Sequence, residues 1–219
     1  MEDLQEAWQA LRLGGLMVYP LLAVGVLAVT VILDRAVVYF RCLRLPTALR
    51  EASEALDFSW STVEEQIKTL GPRNAFGRFL GVIVDNRSRP VWWTESRADD
   101  EAGRIEKALS RGLWVLETVV TGAPLLGLLG TITGMMQAFK VIGEAGVVAP
   151  SRVTAGVAEA LIATALGLFI AIIALFAFNF FERVRAHALD TMERLGSKLM
   201  AHIRLDQEHN GGDRRHEAA

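Results

Sequence analysis

Three stretches of this sequence contain no charged residue, and each is long enough to cross a membrane as a helix. They are Leu13–Leu33, Thr118–Phe139 and Ala160–Phe181, with 21, 22 and 22 residues. A helix of this length extends roughly 31–33 Å, which matches the hydrocarbon core of a bilayer. Since the charged residues, 22% of the chain, are confined to the other segments, the sequence predicts an all-α membrane protein with three transmembrane helices.

The basic residues near the ends of the spans predict the orientation. The side that holds the N-terminus and the loop between spans 2 and 3 offers three of them: Arg12, Lys140 and Arg152. The opposite side offers ten: Arg41, Arg44, Arg50, Arg104, Lys107, Arg111, Arg183, Arg185, Arg194 and Lys198. Because basic residues accumulate on the cytoplasmic side, we expect an external N-terminus and a cytoplasmic C-terminus.

The chain thus divides into alternating polar and membrane segments. The predicted segments are an external stretch 1–12, transmembrane helix 13–40, cytoplasmic helical loop 41–115, transmembrane helix 116–139, external loop 140–153, transmembrane helix 154–181, cytoplasmic helix 182–205 and disordered tail 206–219. Apolar residues continue at helical spacing before span 2 and after span 3. We therefore expect both helices to extend without a break into a cytoplasmic helical bundle.

The large polar loop also reads as helical. Pro46–Leu56 is predicted as a short amphipathic helix, and Ser61–Glu64 resembles a capping box that opens another helix. Arg73–Asp85 carries apolar residues at helical spacing, and Arg87–Trp93 is predicted as a turn.

Spans 2 and 3 each carry small residues in steps of three and four, which places each set on one helix face. We call these sets the seams. They are Ala123, Gly127, Gly130, Gly134 and Ala138 in span 2, and Gly156, Ala160, Ala163, Gly167, Ala171 and Ala174 in span 3. Small side chains let membrane helices approach closely. The seams fit either packing within one chain or packing around an oligomeric pore, because three helices alone enclose no pathway.

Polar groups are rare in the spans, and Glu159 stands at the head of the third. A carboxylate at membrane depth is costly unless it is paired, solvated or protonated, so it is a candidate for moving protons. Thr131 and Thr164 are candidates for the same pathway. The alternatives are that Glu159 is an interfacial residue and that the threonines bond their own backbone carbonyls.

Other functional classes find little support. The single cysteine, Cys42, forms no intrachain disulfide, and the four histidines lack metal-site spacing. The formal net charge of −2 is too balanced for nucleic-acid binding, and phosphate-loop, metalloprotease and nucleophile-elbow motifs are absent. We expect a non-enzymatic protein that needs no metal or cofactor.

Two segments resemble the MotA/TolQ/ExbB proton channel family. The first is Ala123–Thr131, followed by Gly134-Met135-Met136, and the second is Gly156–Leu168, with Asn179 near the end of the span. Three spans and a large loop between spans 1 and 2 are similar to the ExbB and TolQ members. The chain departs from the family at Thr133, where members often have an aromatic residue, and at Ile173, where they often have proline.

The resemblance implies a homopentamer in the bacterial inner membrane, with a periplasmic N-terminus. Its pore would be lined by spans 2 and 3 and would hold an ExbD/TolR-like single-span partner with a membrane aspartate. Glu159, Thr131 and Thr164 fall on the family's proton-pathway positions. Proton flow would then drive work on a periplasm-spanning protein of the TonB or TolA type. A stator-like unit for another machine or ion, or a non-conducting scaffold, remains an alternative.

Overall fold

The computed structural model describes residues 15–44, 59–145 and 150–216, and within these ranges every regular element is an α-helix. The helices are α1 (Val18–Cys42), α2 (Trp60–Thr69), α3 (Ala75–Asp85), α4 (Val91–Ser110), α5 (Leu113–Ala145) and α6 (Pro150–His216). The chain forms two compact units. One contains the chain up to Arg35 and Gly112–Phe181, and the other contains Ala36–Arg111 and the residues from Glu182 onward.

The first unit contains the apolar parts of α1, α5 and α6. Among the described residues, three helical stretches are long and apolar enough to cross a membrane; they contain predicted spans 2 and 3 and the part of predicted span 1 from Val18 onward. Many large apolar side chains of this unit face outward; examples are Val26, Met136 and Phe176. In water such a surface would be unfavourable, whereas lipid or another membrane helix accommodates it. The prediction of an all-α membrane protein is therefore confirmed.

Helices α1 and α5 both begin just after a glycine with positive φ. Gly15 has φ +66° and Gly112 has φ +82°, a region that costs glycine little because it has no Cβ. Their carbonyls accept hydrogen bonds from Val18 N at 3.3 Å and from Val115 N at 3.1 Å. The turn at Gly112 separates α4 from α5, so the prediction of one unbroken helix into span 2 is wrong.

The second unit has a conventional buried core. Helix α3 contributes the side chains of Phe76, Phe79, Leu80, Ile83 and Val84, all of which are buried. The C-terminal part of α6 buries further large apolar side chains, among them Met192, Leu195, Leu199 and Ile203. These positions recur every three or four residues, as expected for helices that bury one face.

The structure agrees with some of the local predictions for the loop between spans 1 and 2 and contradicts others. Helix α3 agrees with the predicted helix 73–85, and Asn74 caps it by accepting a hydrogen bond from Gly77 N at 3.1 Å. The capping box at Ser61–Glu64 is wrong, since the N-cap of α2 is Ser59 and its side chain makes no capping bond. The turn predicted for 87–93 ends earlier, because α4 begins at Val91.

The third long helix extends further than predicted. Helix α6 runs unbroken from span 3 into the polar region, as expected, but it continues to His216. The prediction of a disordered tail from residue 206 is therefore wrong for 206–216. The predicted loop 140–153 is also too long, because α5 continues to Ala145 and α6 begins at Pro150. The predicted helix 46–56 lies outside the described residues.

Candidate functional site

The two seams face each other inside one chain. On α5, Ala123, Gly127, Gly130, Gly134 and Ala138 are all buried. On α6, the same holds for Gly156, Ala160, Ala163, Gly167, Ala171 and Ala174. Small side chains on both sides let the two backbones approach closely, and dispersion contacts then hold the helices together in lipid.

The contact leaves no space for larger side chains. A Cβ built on Gly130 would lie 2.5 Å from the Cβ of Ala163, and one on Gly167 would lie 2.5 Å from the carbonyl oxygen of Ala123. A Cβ on Gly134 would lie 3.0 Å from the carbonyl oxygen of Gly156. The seam therefore depends on glycine along its length, and no pathway passes between α5 and α6 of one chain at these positions.

The two candidate threonines make different hydrogen bonds. Thr164 Oγ1 donates across the seam to the carbonyl oxygen of Gly127 at 3.0 Å. Thr131 Oγ1 donates within its own helix to the carbonyl oxygen of Leu128 at 2.6 Å. Thr164 thus joins α6 to α5, whereas Thr131 follows the common behaviour of threonine in membrane helices. Both side chains are half-buried, so part of each remains accessible.

Glu159 is half-buried near the start of α6. Its carboxyl group lies against the backbone of Gly15, so closely that a Cβ on Gly15 would fall inside it. Gly15 lies three residues before α1, which begins at Val18. Within the described part of the chain, no hydrogen bond or ion pair satisfies the carboxyl group. It is therefore open to a proton, to water or to a group from another chain.

The structure does not bring Glu159 and Thr164 together. Thr164 follows Glu159 by five positions on α6, which places the two residues about 140° apart around the helix axis. Helix α1 packs on one flank of α6, where a Cβ built on Gly25 of α1 would lie 3.2 Å from Ile170 Cδ1. Glu159 lies on the same flank of α6 as Ile170. The carboxyl group and the Thr164 hydroxyl thus occupy opposite sides of the seam.

Sequence reasoning missed the part that α1 plays at this site. The small-residue pattern predicts packing faces on spans 2 and 3 only, yet Val18, Leu21 and Ala28 form a narrow buried stripe along span 1. Met17 lies beside the seam, with its Cβ 3.4 Å from a Cβ built on Gly130. The available signal was the Gly14-Gly15 pair at the beginning of the apolar run.

Comparison with known proteins places this arrangement in a family. The sequence model of the MotA/TolQ/ExbB proton channel family matches residues 74–194, more than half of the chain. The chain belongs to this family. The match includes the seams, Glu159, Thr131 and Thr164, so the resemblance described from the sequence is confirmed.

Individual relatives of this family member cover most of its length. It is 47% identical over 181 residues to the biopolymer transport protein ExbB of Xanthomonas campestris pv. campestris, covering 73% of this chain and 70% of that protein. It is 32% identical over 198 residues to the putative biopolymer transport protein ExbB-like 1 of Synechocystis, covering 85% and 74%. The Tol-Pal system protein TolQ of Haemophilus influenzae is 32% identical over 166 residues, covering 68% and 72%.

These findings define the class of activity of this MotA/TolQ/ExbB family member. It is a proton-channel subunit of an energy-transducing membrane motor, which is a class of transport protein and not of enzyme. With three helices apolar enough to span a bilayer, it is a multi-pass protein of the inner membrane.

Proposed function

We propose that this subunit carries protons through Glu159 in an oligomer that works with a single-span partner. The oligomer is a homopentamer, and the partner is an ExbD/TolR-like protein whose membrane aspartate exchanges protons with Glu159. The driven component is a periplasm-spanning protein of the TonB or TolA type. The N-terminus is periplasmic and the C-terminus is cytoplasmic.

One observation carries the role of Glu159. It is a half-buried carboxyl group at the head of a membrane span, and no described group neutralises it. An unpaired carboxylate at such a place is costly. Protonation removes that cost, and so does a charged or hydrogen-bonding group from another chain. The Glu159 carboxyl group can therefore alternate between a protonated and an ionised state.

The closed seam supports a pathway between chains. Because Gly127, Gly130 and Gly134 pack against α6 of the same chain, protons cannot pass through this contact. The faces of α5 and α6 that remain exposed carry large apolar side chains, among them Leu125, Ile132 and Phe169. These faces are available to copies of the subunit, to the partner helix and to lipid, and Thr131 borders one of them.

The test compares two glutamates that border membrane spans. Glu159→Gln keeps the shape of the side chain and removes its ionisable proton, whereas Glu117→Gln makes the same change at an exposed position near the start of α5. The subunit is reconstituted with its partner in proteoliposomes, and proton uptake is measured with a pH-sensitive dye under an imposed potential. We expect proton uptake to fall at least about tenfold in the first variant and to stay within twofold of wild type in the second.

The same assay, repeated with a sodium-sensitive dye, separates the alternatives. If Glu159→Gln conducts protons as wild type does, the proposed pathway is wrong. If neither wild type nor variant conducts any ion, the chain is a scaffold. A current that requires sodium would identify a stator-like unit driven by another ion.

A further inference from the structure

Gly15 is the residue against which the Glu159 carboxyl group packs. Oε1, Cδ and Cγ of Glu159 are the three heavy atoms nearest to the position that a Cβ on Gly15 would take, and that Cβ would overlap the carboxyl group. Only glycine, which has no Cβ, leaves this space free. The present position of the Glu159 carboxyl group thus requires glycine at residue 15.

The backbone at Gly15 is held in place by the start of α1. The Gly15 carbonyl accepts the hydrogen bond from Val18 N, and Val18 and Leu21 are 2% and 0% exposed. Met17 lies against the seam beside Gly130. Because this end of α1 contacts both α5 and α6, we expect a Cβ at residue 15 to displace the Glu159 side chain sooner than the backbone.

We propose that Gly15 is a positioning residue for Glu159. The first span does more than face lipid, because Gly15 leaves free the space that the Glu159 carboxyl group occupies. This inference rests on the function proposed above, since positioning matters for activity only if Glu159 carries protons. The contact itself can be tested without that assumption.

The matched control is Gly112. Both glycines have positive φ, so alanine introduces similar backbone strain at either position. Among the described residues, the atom that a Cβ on Gly112 would meet is Val31 Cγ1, at 3.7 Å, which is an ordinary van der Waals contact. Comparing Gly15→Ala with Gly112→Ala therefore separates the overlap with Glu159 from the strain that both variants share.

The first measurement reports the carboxyl group directly. The full-length protein in lipid nanodiscs is treated with a lipophilic carbodiimide, and the rate of modification at Glu159 is followed by mass spectrometry. We expect the rate in Gly15→Ala to change at least about threefold, because a displaced carboxyl group has different access to the reagent and to protons. The rate in Gly112→Ala should equal that of wild type. An unchanged rate in Gly15→Ala, or an equal change in both variants, would overturn the proposal.

The second measurement is proton uptake with the partner present. We expect proton uptake to fall at least about tenfold in Gly15→Ala, since small displacements of a reacting group have effects of this size or larger. Gly112→Ala should retain wild-type proton uptake. If Glu159→Gln conducts normally, the proposed function fails, while the labelling comparison still decides the Gly15 contact.

A third variant covers the case in which Gly15→Ala is poorly folded. Glu159→Asp shortens the side chain by one methylene and withdraws the carboxyl group from residue 15. We expect the double variant to melt at a higher temperature than Gly15→Ala alone. A double variant no more stable than the single one would contradict the overlap.

Discussion

Exchanging one methyl group across the seam tests the packing of α5 on α6. Gly130 and Ala163 face each other there, and a Cβ built on the glycine would lie 2.5 Å from the Cβ of the alanine. The perturbation has three forms, which are Gly130→Ala, Ala163→Gly, and the double variant in which the two residues are exchanged. The last form moves the methyl group from α6 to α5 and keeps the number of atoms in the contact.

The magnitude follows from the contact distances. Two non-bonded carbon atoms pack best at about 3.5–4.0 Å, so the new Cβ in Gly130→Ala would lie about 1 Å or more too close to the Cβ of Ala163. Both Cβ atoms are fixed to helical backbones, and the helices must move apart. Such overpacking costs about 1–3 kcal/mol, and we expect about 2 kcal/mol. Ala163→Gly loses one buried methyl group and adds glycine flexibility, which costs about 1 kcal/mol. The free energy of unfolding of the double variant should lie within about 1 kcal/mol of wild type. The two substitutions would then be coupled favourably by about 2 kcal/mol relative to the sum of the single changes.

The assay is reversible unfolding of the purified subunit in mixed micelles. The fraction of the denaturing detergent is raised, and tryptophan fluorescence reports the free energy of unfolding of the four proteins. Equal stability of Gly130→Ala and wild type would refute the close contact. A double variant as unstable as the sum of the single changes would refute the pairing of Gly130 with Ala163. Unfolding at several protein concentrations shows whether the cost arises within one chain, since an effect on assembly depends on concentration.

Two further predictions concern polar contacts. Thr164→Val removes the hydrogen bond across the seam and should lower the free energy of unfolding by about 0.5–1.5 kcal/mol. Thr131→Val removes only a bond within its own helix and should cost less, and equal losses in the same unfolding assay would argue against the bond across the seam. In the second unit, Glu101 is 8% exposed and its Oε1 lies 2.5 Å from Arg78 Nη2, so Glu101→Gln should cost about 1–2 kcal/mol. Asp190→Asn alters an ion pair whose side chains are both mostly exposed and should cost under about 0.5 kcal/mol; thermal melts of the two variants would contradict this ranking if they coincided.

The three spans and their packing faces could be predicted because both depend on local composition. An uncharged run of membrane length has few alternatives to a spanning helix, since lipid leaves no other partner for backbone groups. Glycine and alanine in steps of three and four define a helix face wherever that helix packs. The buried seam residues, from Ala123 to Ala174, follow the sequence pattern at each predicted position.

Helix ends were harder to predict than helix faces. The pattern before span 2 contains no proline, and a helix can tolerate glycine, so nothing local required the turn at Gly112. The structure shows that φ is +82° there. At α2, the hydroxyls of Ser59 and Ser61 hydrogen-bond to each other at 2.8 Å, and the N-cap Ser59 makes no side-chain capping bond. Such choices depend on small energy differences between neighbouring residues.

The sequence by itself determined the three spans, the two small-residue faces and the candidate carboxyl group, because hydrophobicity, helical periodicity and charge are properties of short segments. Only the tertiary structure decided which faces meet. It shows that the seams close on each other within one chain, that Thr164 bonds across them and that Glu159 lies on the opposite flank against Gly15. Contacts between residues as distant along the chain as 15 and 159 depend on how helices pack, and a periodic pattern in one helix carries no information about the residues of its partner.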